Sequence, residues 1–153
     1  MSSVSEAISA GARSESDVWA SALLEVPDWQ PVFSPLAPDE LALGLETVYE
    51  AYLVHYGRAR LFEPPDHDEA ILLGDYLYAH GLVRVAEAGG VPAVAVLADL
   101  IARCAALRAD GADGDGEAWV DAARALGGTP SGDDIAAALT LHSAYAHSAR
   151  VAP

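Results

Sequence analysis

The acid most able to do chemistry in this sequence, Asp75, falls on the apolar side of a predicted helix. At about 100° per residue, the charged and polar residues of that helix gather into one stripe. We expect this stripe to face solvent, and it consists of Glu69, His80, Arg84 and Glu87. Asp75 lies roughly 150° from the centre of the stripe, so its carboxylate should be at least partly buried and hydrogen-bonded. Both a structural partner and a ligand contact would explain such an acid.

Other residues with ligand chemistry have simpler structural explanations. Arg58 and Arg60 could bind a phosphate, but a solvated helix end also accounts for them. His142 and His147 are five residues apart, so they do not share a helical face and give no argument for zinc. The run 66–69, Asp-His-Asp-Glu, lies where a helix should start and is typical of capping. We therefore expect no catalytic, metal-binding or cofactor-binding residues. The possible ligand or structural polar site consists of Asp75, Tyr76, Tyr52, Arg58 and Arg60.

Prolines and glycines divide the chain into the elements that must position these residues. Four prolines between 27 and 38 prevent a regular helix and predict an extended strap there. Apolar residues at helical spacing predict helices over 16–25, 39–61, 66–88, 91–109, 117–126 and 132–149. Residues 1–15 lack a sustained apolar face, so we expect a flexible segment. The sequence therefore predicts an all-α fold, with a single bundle of five or six antiparallel helices over 16–150.

The charge of the chain restricts its partners. The 153 residues include 23 acids and 8 arginines without a lysine, for a formal net charge of -15. Nucleic acid and anionic lipid are disfavoured because both require clustered basic groups. The longest apolar stretch, 91–107, carries Asp99 and Arg103 and is too short and too polar for a membrane span. Because no secretory signal is evident and Cys104 is the single cysteine, we expect a cytoplasmic protein.

Two consecutive segments resemble a known family. The first, residues 70–79, reads Ala-Ile-Leu-Leu-Gly-Asp-Tyr-Leu-Tyr-Ala, and the second, residues 90–98, reads Gly-Val-Pro-Ala-Val-Ala-Val-Leu-Ala. Over roughly residues 40 to 110 the chain resembles trans-polyprenyl diphosphate synthases, in which small and apolar residues lead into Gly-Asp-Tyr or Gly-Asp-Phe. The resemblance implies an all-helical fragment of the isoprenoid-synthase fold, which surrounds a deep cavity for the growing isoprenoid chain.

The sequence departs from that family where the family binds magnesium. Family members hold Mg²⁺ with two aspartate clusters so that diphosphate can leave. The helix that should carry the first cluster reads Tyr-Leu-Val-His-Tyr-Gly-Arg-Ala-Arg-Leu over 52–61, without an acid. The second cluster lies well over a hundred residues beyond the Gly-Asp pair in the family, and only 78 residues follow Asp75 here. Both clusters are therefore expected to be missing.

The resemblance implies a non-catalytic accessory or regulatory protein that associates through its helices. Some prenyl synthases consist of two unlike chains, and the smaller, metal-free chain shapes the cavity of the larger. A homodimer, or a heteromer with a prenyl synthase subunit, is therefore expected. An alternative is an isoprenoid-binding domain with a cavity lined by Tyr49, Tyr52, Leu72, Tyr76 and Val83. A prenyltransferase that acts alone is the third interpretation.

Overall fold

The computed structural model describes residues 3–147, which form an all-helical structure. The α-helices are α1 (Ser3–Glu15), α2 (Asp17–Ser21), α3 (Ala42–Tyr56), α4 (His67–Ala109), α5 (Asp115–Ala125) and α6 (Gly132–Ala146). Two short 3₁₀ helices cover Ser34–Leu36 and Asp39–Leu41. The predicted all-α class is confirmed, and the described residues contain no β-strand beyond one isolated bridge between Leu23 and Phe62.

The central element is α3, which packs along α4 and also contacts α1, α6 and both 3₁₀ helices. Glycines permit its closest approach to α4. A Cβ on Gly81 would lie 2.5 Å from a Val48 methyl group, and one on Gly44 would lie 2.6 Å from Val85. Glycine at these two positions therefore brings the two helix backbones together.

Local sequence explains the ends of α4 and its break. The carboxylate of Asp66 accepts a hydrogen bond from the Glu69 backbone N–H at 2.8 Å, which confirms the predicted cap. Gly90 has a φ of 70°, and the helix changes direction there before Pro92. The two helices predicted over 66–88 and 91–109 are thus the two halves of α4, separated by a glycine in the left-handed region.

The predicted strap over 27–38 is confirmed as non-helical apart from one short 3₁₀ turn. The helix predicted over 39–61, in contrast, is shorter than expected. The helix α3 stops at Tyr56, because Gly57 adopts an extended conformation and packs against the backbone of Tyr145. The segment after Gly57 instead pairs with the chain before the strap, since Leu24 N–H donates to the Leu61 carbonyl at 2.9 Å.

The predicted flexible segment is wrong for residues 3–15, which form α1. Its buried face consists of Ser5, Ile8, Ser9 and Ala12, at the i, i+3, i+4 and i+7 positions of a helix. Three of these four side chains are small, so the face is only weakly apolar and helical periodicity does not reveal it. Their size lets α1 lie close against α3.

Candidate functional site

The structure contradicts the predicted burial of Asp75, although the predicted hydrogen-bond partner is present. Its side chain is 67% exposed and contacts the imidazole Nε2 of His55 at 3.3 Å. The helix α4 instead buries a stripe of apolar and small residues against the core, which includes Leu73, Gly74, Leu77, Gly81 and Val85. Burial lowers the pKa of His55 and outweighs the opposing charge of Asp75. Asp75 therefore belongs to a surface pair rather than to a buried site.

The stripe that was expected to face solvent is partly covered by α1. Arg84 donates to the Thr47 hydroxyl at 3.0 Å and to the Ala7 carbonyl at 3.4 Å. His80 stacks on Tyr76 with 4.6 Å between ring centroids, and Tyr76 in turn lies 5.9 Å from the Trp19 ring. Tyr76 is thus a half-buried surface aromatic residue, and α4 packs a different face against α3 from the one that the sequence predicted.

This orientation leaves an apolar helix face in solvent. The outer face of α4 is defined by Leu72, Ala79, Val83 and Ala86, which are all exposed and lie within about 60° of one another. Leu72 is 59% exposed and Val83 is 55% exposed. Seven large apolar side chains are exposed among residues 3–147, and four of them belong to α4. These four are Ile71, Leu72, Val83 and Val91.

By length and composition, α4 is also the one described helix that could cross a membrane. A single helix of this kind is weak evidence for a span, since helices of soluble proteins meet the same criteria. The predicted absence of a membrane span stays a prediction.

The structure places Arg60 in the core, which contradicts its assignment to a solvated helix end. Its guanidinium is fully buried between two glutamates of α3, with Nη1 2.6 Å from Glu46 Oε1 and Nε 2.9 Å from Glu50 Oε1. The guanidinium also lies 4.1 Å from the centroid of the Trp29 ring. Arg58, by contrast, is exposed and pairs with Asp28 at 2.7 Å.

Every carboxylate oxygen of the Arg60 network has a donor. Glu46 Oε2 accepts the backbone N–H groups of Val32 and Ser34, which ties the strap to α3. Glu50 Oε2 accepts the N–H groups of Arg60 and Leu61. Because Arg60 is buried and its Nε, Nη1 and Nη2 already donate to Glu50, Glu46 and the Gln30 carbonyl, it is not available to a phosphate. The sequence signal that was missed is the pair of acids four residues apart in an otherwise apolar helix.

A second polar cluster surrounds Asp115, the first residue of α5. Its Oδ2 accepts hydrogen bonds from the Tyr52 hydroxyl at 2.5 Å and from Arg108 Nη2 at 3.2 Å. The same oxygen lies 2.9 Å from His142 Nε2, while Oδ1 lies 3.3 Å from His147 Nε2. The five residues come from four different helices or helix ends, so sequence spacing gave no sign of the cluster. Tyr52 was a predicted site residue, whereas Asp115 was missed.

Burial and hydrogen bonding fix the charges in the Asp115 cluster. Burial alone would raise the pKa of Asp115, but the hydrogen bonds from His142 and Tyr52 and the nearby histidine charges hold it well below its usual value. Burial, together with the hydrogen bond to Asp115, raises the pKa of Tyr52. The cluster therefore holds an ionised carboxylate against a neutral phenol.

The five predicted site residues do not form one site. Tyr52 lies in the Asp115 cluster, Arg60 in its own buried network, and the other three, Asp75, Tyr76 and Arg58, at the surface. The predicted isoprenoid cavity is likewise divided, because Tyr49 and Tyr52 are buried in the core while Leu72 and Val83 are exposed. Two open surface grooves, of about 210 and 240 Å³, border α4 and are smaller than ordinary ligand pockets.

Comparisons with known proteins give this chain no relative. It matches no family model, and neither the curated proteins nor the solved structures include a match. The fold and its surface define an acidic, all-helical protein with an exposed apolar helix face.

Proposed function

We propose that this protein is a non-catalytic accessory subunit that docks the outer face of α4 on an apolar helix of another protein chain. The observation that carries the proposal is the exposure of Leu72 and Val83 on one side of a helix whose opposite side forms the core. Contiguous apolar surface of this kind is uncommon on monomeric proteins and marks interaction sites.

Burial of this face would supply the free energy of association. A Leu or Val side chain contributes about 1.5–3 kcal/mol when it passes from full exposure to full burial. Leu72 and Val83, which are a little over half exposed, would therefore contribute roughly half of that each. Ala79 and Ala86 lie between and beside them, and their small side chains permit close approach of a partner helix.

The charges around the outer face indicate the chemistry of the partner. Asp68, Asp75 and Glu87 are exposed at its end and edges, and the whole chain has a formal net charge of -15. A second copy would bring these acids together, and an anionic membrane would repel them. We therefore propose a different protein chain with an apolar helix flanked by basic side chains.

The family resemblance supplies the candidate partner. Residues 70–79 resemble trans-polyprenyl diphosphate synthases, and unlike-chain synthases are assembled from one catalytic and one metal-free subunit. We accordingly propose that the partner is a full-length polyprenyl diphosphate synthase from the same genome. The resemblance rests on the residues of this sequence alone.

Sedimentation velocity of the purified chain, alone and mixed with that synthase, tests the proposal. We expect a monomer alone and a heavier complex in the mixture. The double variant L72D/V83D should lose the complex, whereas V26D, which adds an acid at a side chain 84% exposed outside α4, should retain it.

Three outcomes would overturn the proposal. The first is a wild-type dimer that L72D/V83D dissociates, since the occupant would then be a second copy. The second is flotation of the chain with vesicles containing anionic lipid. The third is prenyl product formed by the chain alone with Mg²⁺, an allylic diphosphate and isopentenyl diphosphate.

A further inference from the structure

Three side chains with metal-ligand chemistry converge at the junction of α5 and α6. They are Asp115 at the start of α5, His142 in the last turns of α6 and His147 just beyond it. One ligand atom from each residue lies within 4.8 Å of the other two. Two of the separations are 2.9 Å, from His142 Nε2 to Asp115 Oδ2, and 3.3 Å, from His147 Nε2 to Asp115 Oδ1.

We infer that Asp115, His142 and His147 form a binding site for Zn²⁺. Zinc binds imidazole nitrogen and carboxylate oxygen at about 2.0–2.2 Å, so tetrahedral ligands lie roughly 3.3 Å apart. The 3.3 Å from His147 to Asp115 Oδ1 matches that value, the 2.9 Å from His142 is measured to the other carboxylate oxygen, and no two ligand atoms of the set are more than 4.8 Å apart. Two imidazoles with one carboxylate favour zinc over Mg²⁺ or Ca²⁺, which prefer sets of oxygen ligands. Three protein ligands leave the fourth position to water.

Neighbouring groups hold the ligands in place. The hydroxyl of Tyr49 lies 2.8 Å from His142 Nδ1, so Nε2, which now pairs with Asp115 Oδ2 at 2.9 Å, is the ring nitrogen that would exchange this hydrogen bond for a metal. Tyr52 and Arg108 donate to Oδ2 of Asp115, while Oδ1 pairs with His147. Outer hydrogen bonds of this kind are the usual support of metal-binding histidines and carboxylates.

The position of His147 explains how an ion could reach the site and why helical spacing did not predict the site. The helix α6 ends at Ala146, and His147 has a φ of -110° and a ψ of 3°, so its side chain leaves the helical register. Histidines five residues apart can therefore reach the same carboxylate. The His147 side chain is 43% exposed and gives an ion a route from solvent, while His142 is buried.

The guanidinium of Arg108 opposes a cation at this site. Its Nη2 lies 3.2 Å from Asp115 Oδ2 and also donates to the Ala146 carbonyl at 3.1 Å. A positive charge so close to the ion weakens binding by Coulomb repulsion. R108Q removes this charge, so the variant should bind zinc more tightly than the wild type in the same titration.

A zinc titration of the full chain tests the inference. After chelator treatment, we expect the wild type to bind one Zn²⁺ per chain by isothermal titration calorimetry and to melt at a higher temperature when loaded. H147A removes a half-exposed ligand and should weaken binding by at least about tenfold. H67A, which removes an exposed histidine at the start of α4, should bind like the wild type. Circular dichroism verifies that each variant is folded.

Cobalt gives a readout of the coordination geometry. Co²⁺ bound in place of zinc should produce the intense visible bands of tetrahedral coordination in the wild type and H67A, and H147A should lose them. The inference is overturned if the wild type binds less than one equivalent of zinc, if H147A binds as tightly as the wild type, or if H67A weakens binding as much as H147A.

Discussion

The helices α3 and α4 pack along each other, but they differ in which side chains they bury. In α3, 11 of 15 residues are buried, including Glu46 and Glu50. In α4, 10 of 43 residues are buried, and Leu72 and Val83 lie in solvent. The buried helix thus contains charges, while the exposed helix carries an apolar face.

This difference shows that hydrogen-bond partners, rather than side-chain polarity, decide which residues this fold can bury. Glu46 and Glu50 are tolerated in the core because Arg60 and four backbone N–H groups satisfy them. The outer face of α4 has no covering element among residues 3–147, and under the proposed function it is the face that a partner chain covers. Four predictions test the two halves of this comparison.

The largest expected effect is the loss of the buried cation. R60M leaves Glu46 and Glu50 buried without their counter-charge and should lower the free energy of unfolding by about 3–5 kcal/mol. The matched variant R58M removes an arginine that is exposed two residues away and should cost at most about 1 kcal/mol. Urea unfolding followed by circular dichroism measures both. Equal costs would contradict the structural role of Arg60.

Two adjacent leucines test the orientation of α4. Leu73 is fully buried, so L73A should lower the free energy of unfolding by about 2–5 kcal/mol. Leu72 is mostly exposed, so L72A should change it by less than about 0.5 kcal/mol. The same urea experiment measures this pair. A larger cost for L72A would mean that α4 faces the core as the sequence pattern predicted.

The Asp115 cluster should contribute less than the Arg60 network, because it is partly open. D115N removes the charge that Arg108, His142 and Tyr52 contact, and it should cost about 1–3 kcal/mol in metal-free buffer. D113N, at an exposed aspartate two residues earlier, is the control and should be nearly neutral. Thermal unfolding measures the difference. A neutral D115N would show that the cluster does not stabilise the fold.

The smallest effect is a difference in pH dependence. The pKa of Asp115 in the folded protein lies well below its ordinary value of 3.8, so the unfolded chain takes up this proton first as the pH falls. The stabilisation by Asp115 is fully present above about pH 5, begins to be lost as the pH falls through 3.8, and continues to be lost down to the lower pKa of the folded state. The wild type should therefore lose stability more steeply than D115N between pH 5 and pH 3, in urea titrations at each pH. Parallel curves would contradict the shifted pKa.

Several parts of the fold followed from local sequence. Proline and glycine predicted the strap and the break at Gly90, because both depend on the backbone restrictions of single residues, and the acid Asp66 predicted the cap through its side chain. The orientation of α4 about its own axis, in contrast, could not be predicted from local sequence. Its apolar residues occupy more than one face, and α1, which was expected to be flexible, contacts Arg84 of the polar stripe.

The polar clusters could not be predicted because their members are distant in sequence. Asp115 and Tyr52 are 63 residues apart, and Arg60 reaches its glutamates only because α3 stops at Tyr56 and the chain turns back along it. Such contacts depend on tertiary packing, and helical periodicity carries no information about them.

The most direct test of the account is the reactivity of a cysteine on the outer face of α4. V83C places a thiol there, and the native Cys104 serves as an internal control, since it is buried and burial raises its pKa to about 12. We predict rapid maleimide labelling at position 83 in the free chain, none at Cys104, and strong protection of position 83 when the polyprenyl synthase is added. A thiol at 83 that is unreactive in the free chain, or equally reactive with saturating synthase, would contradict the account.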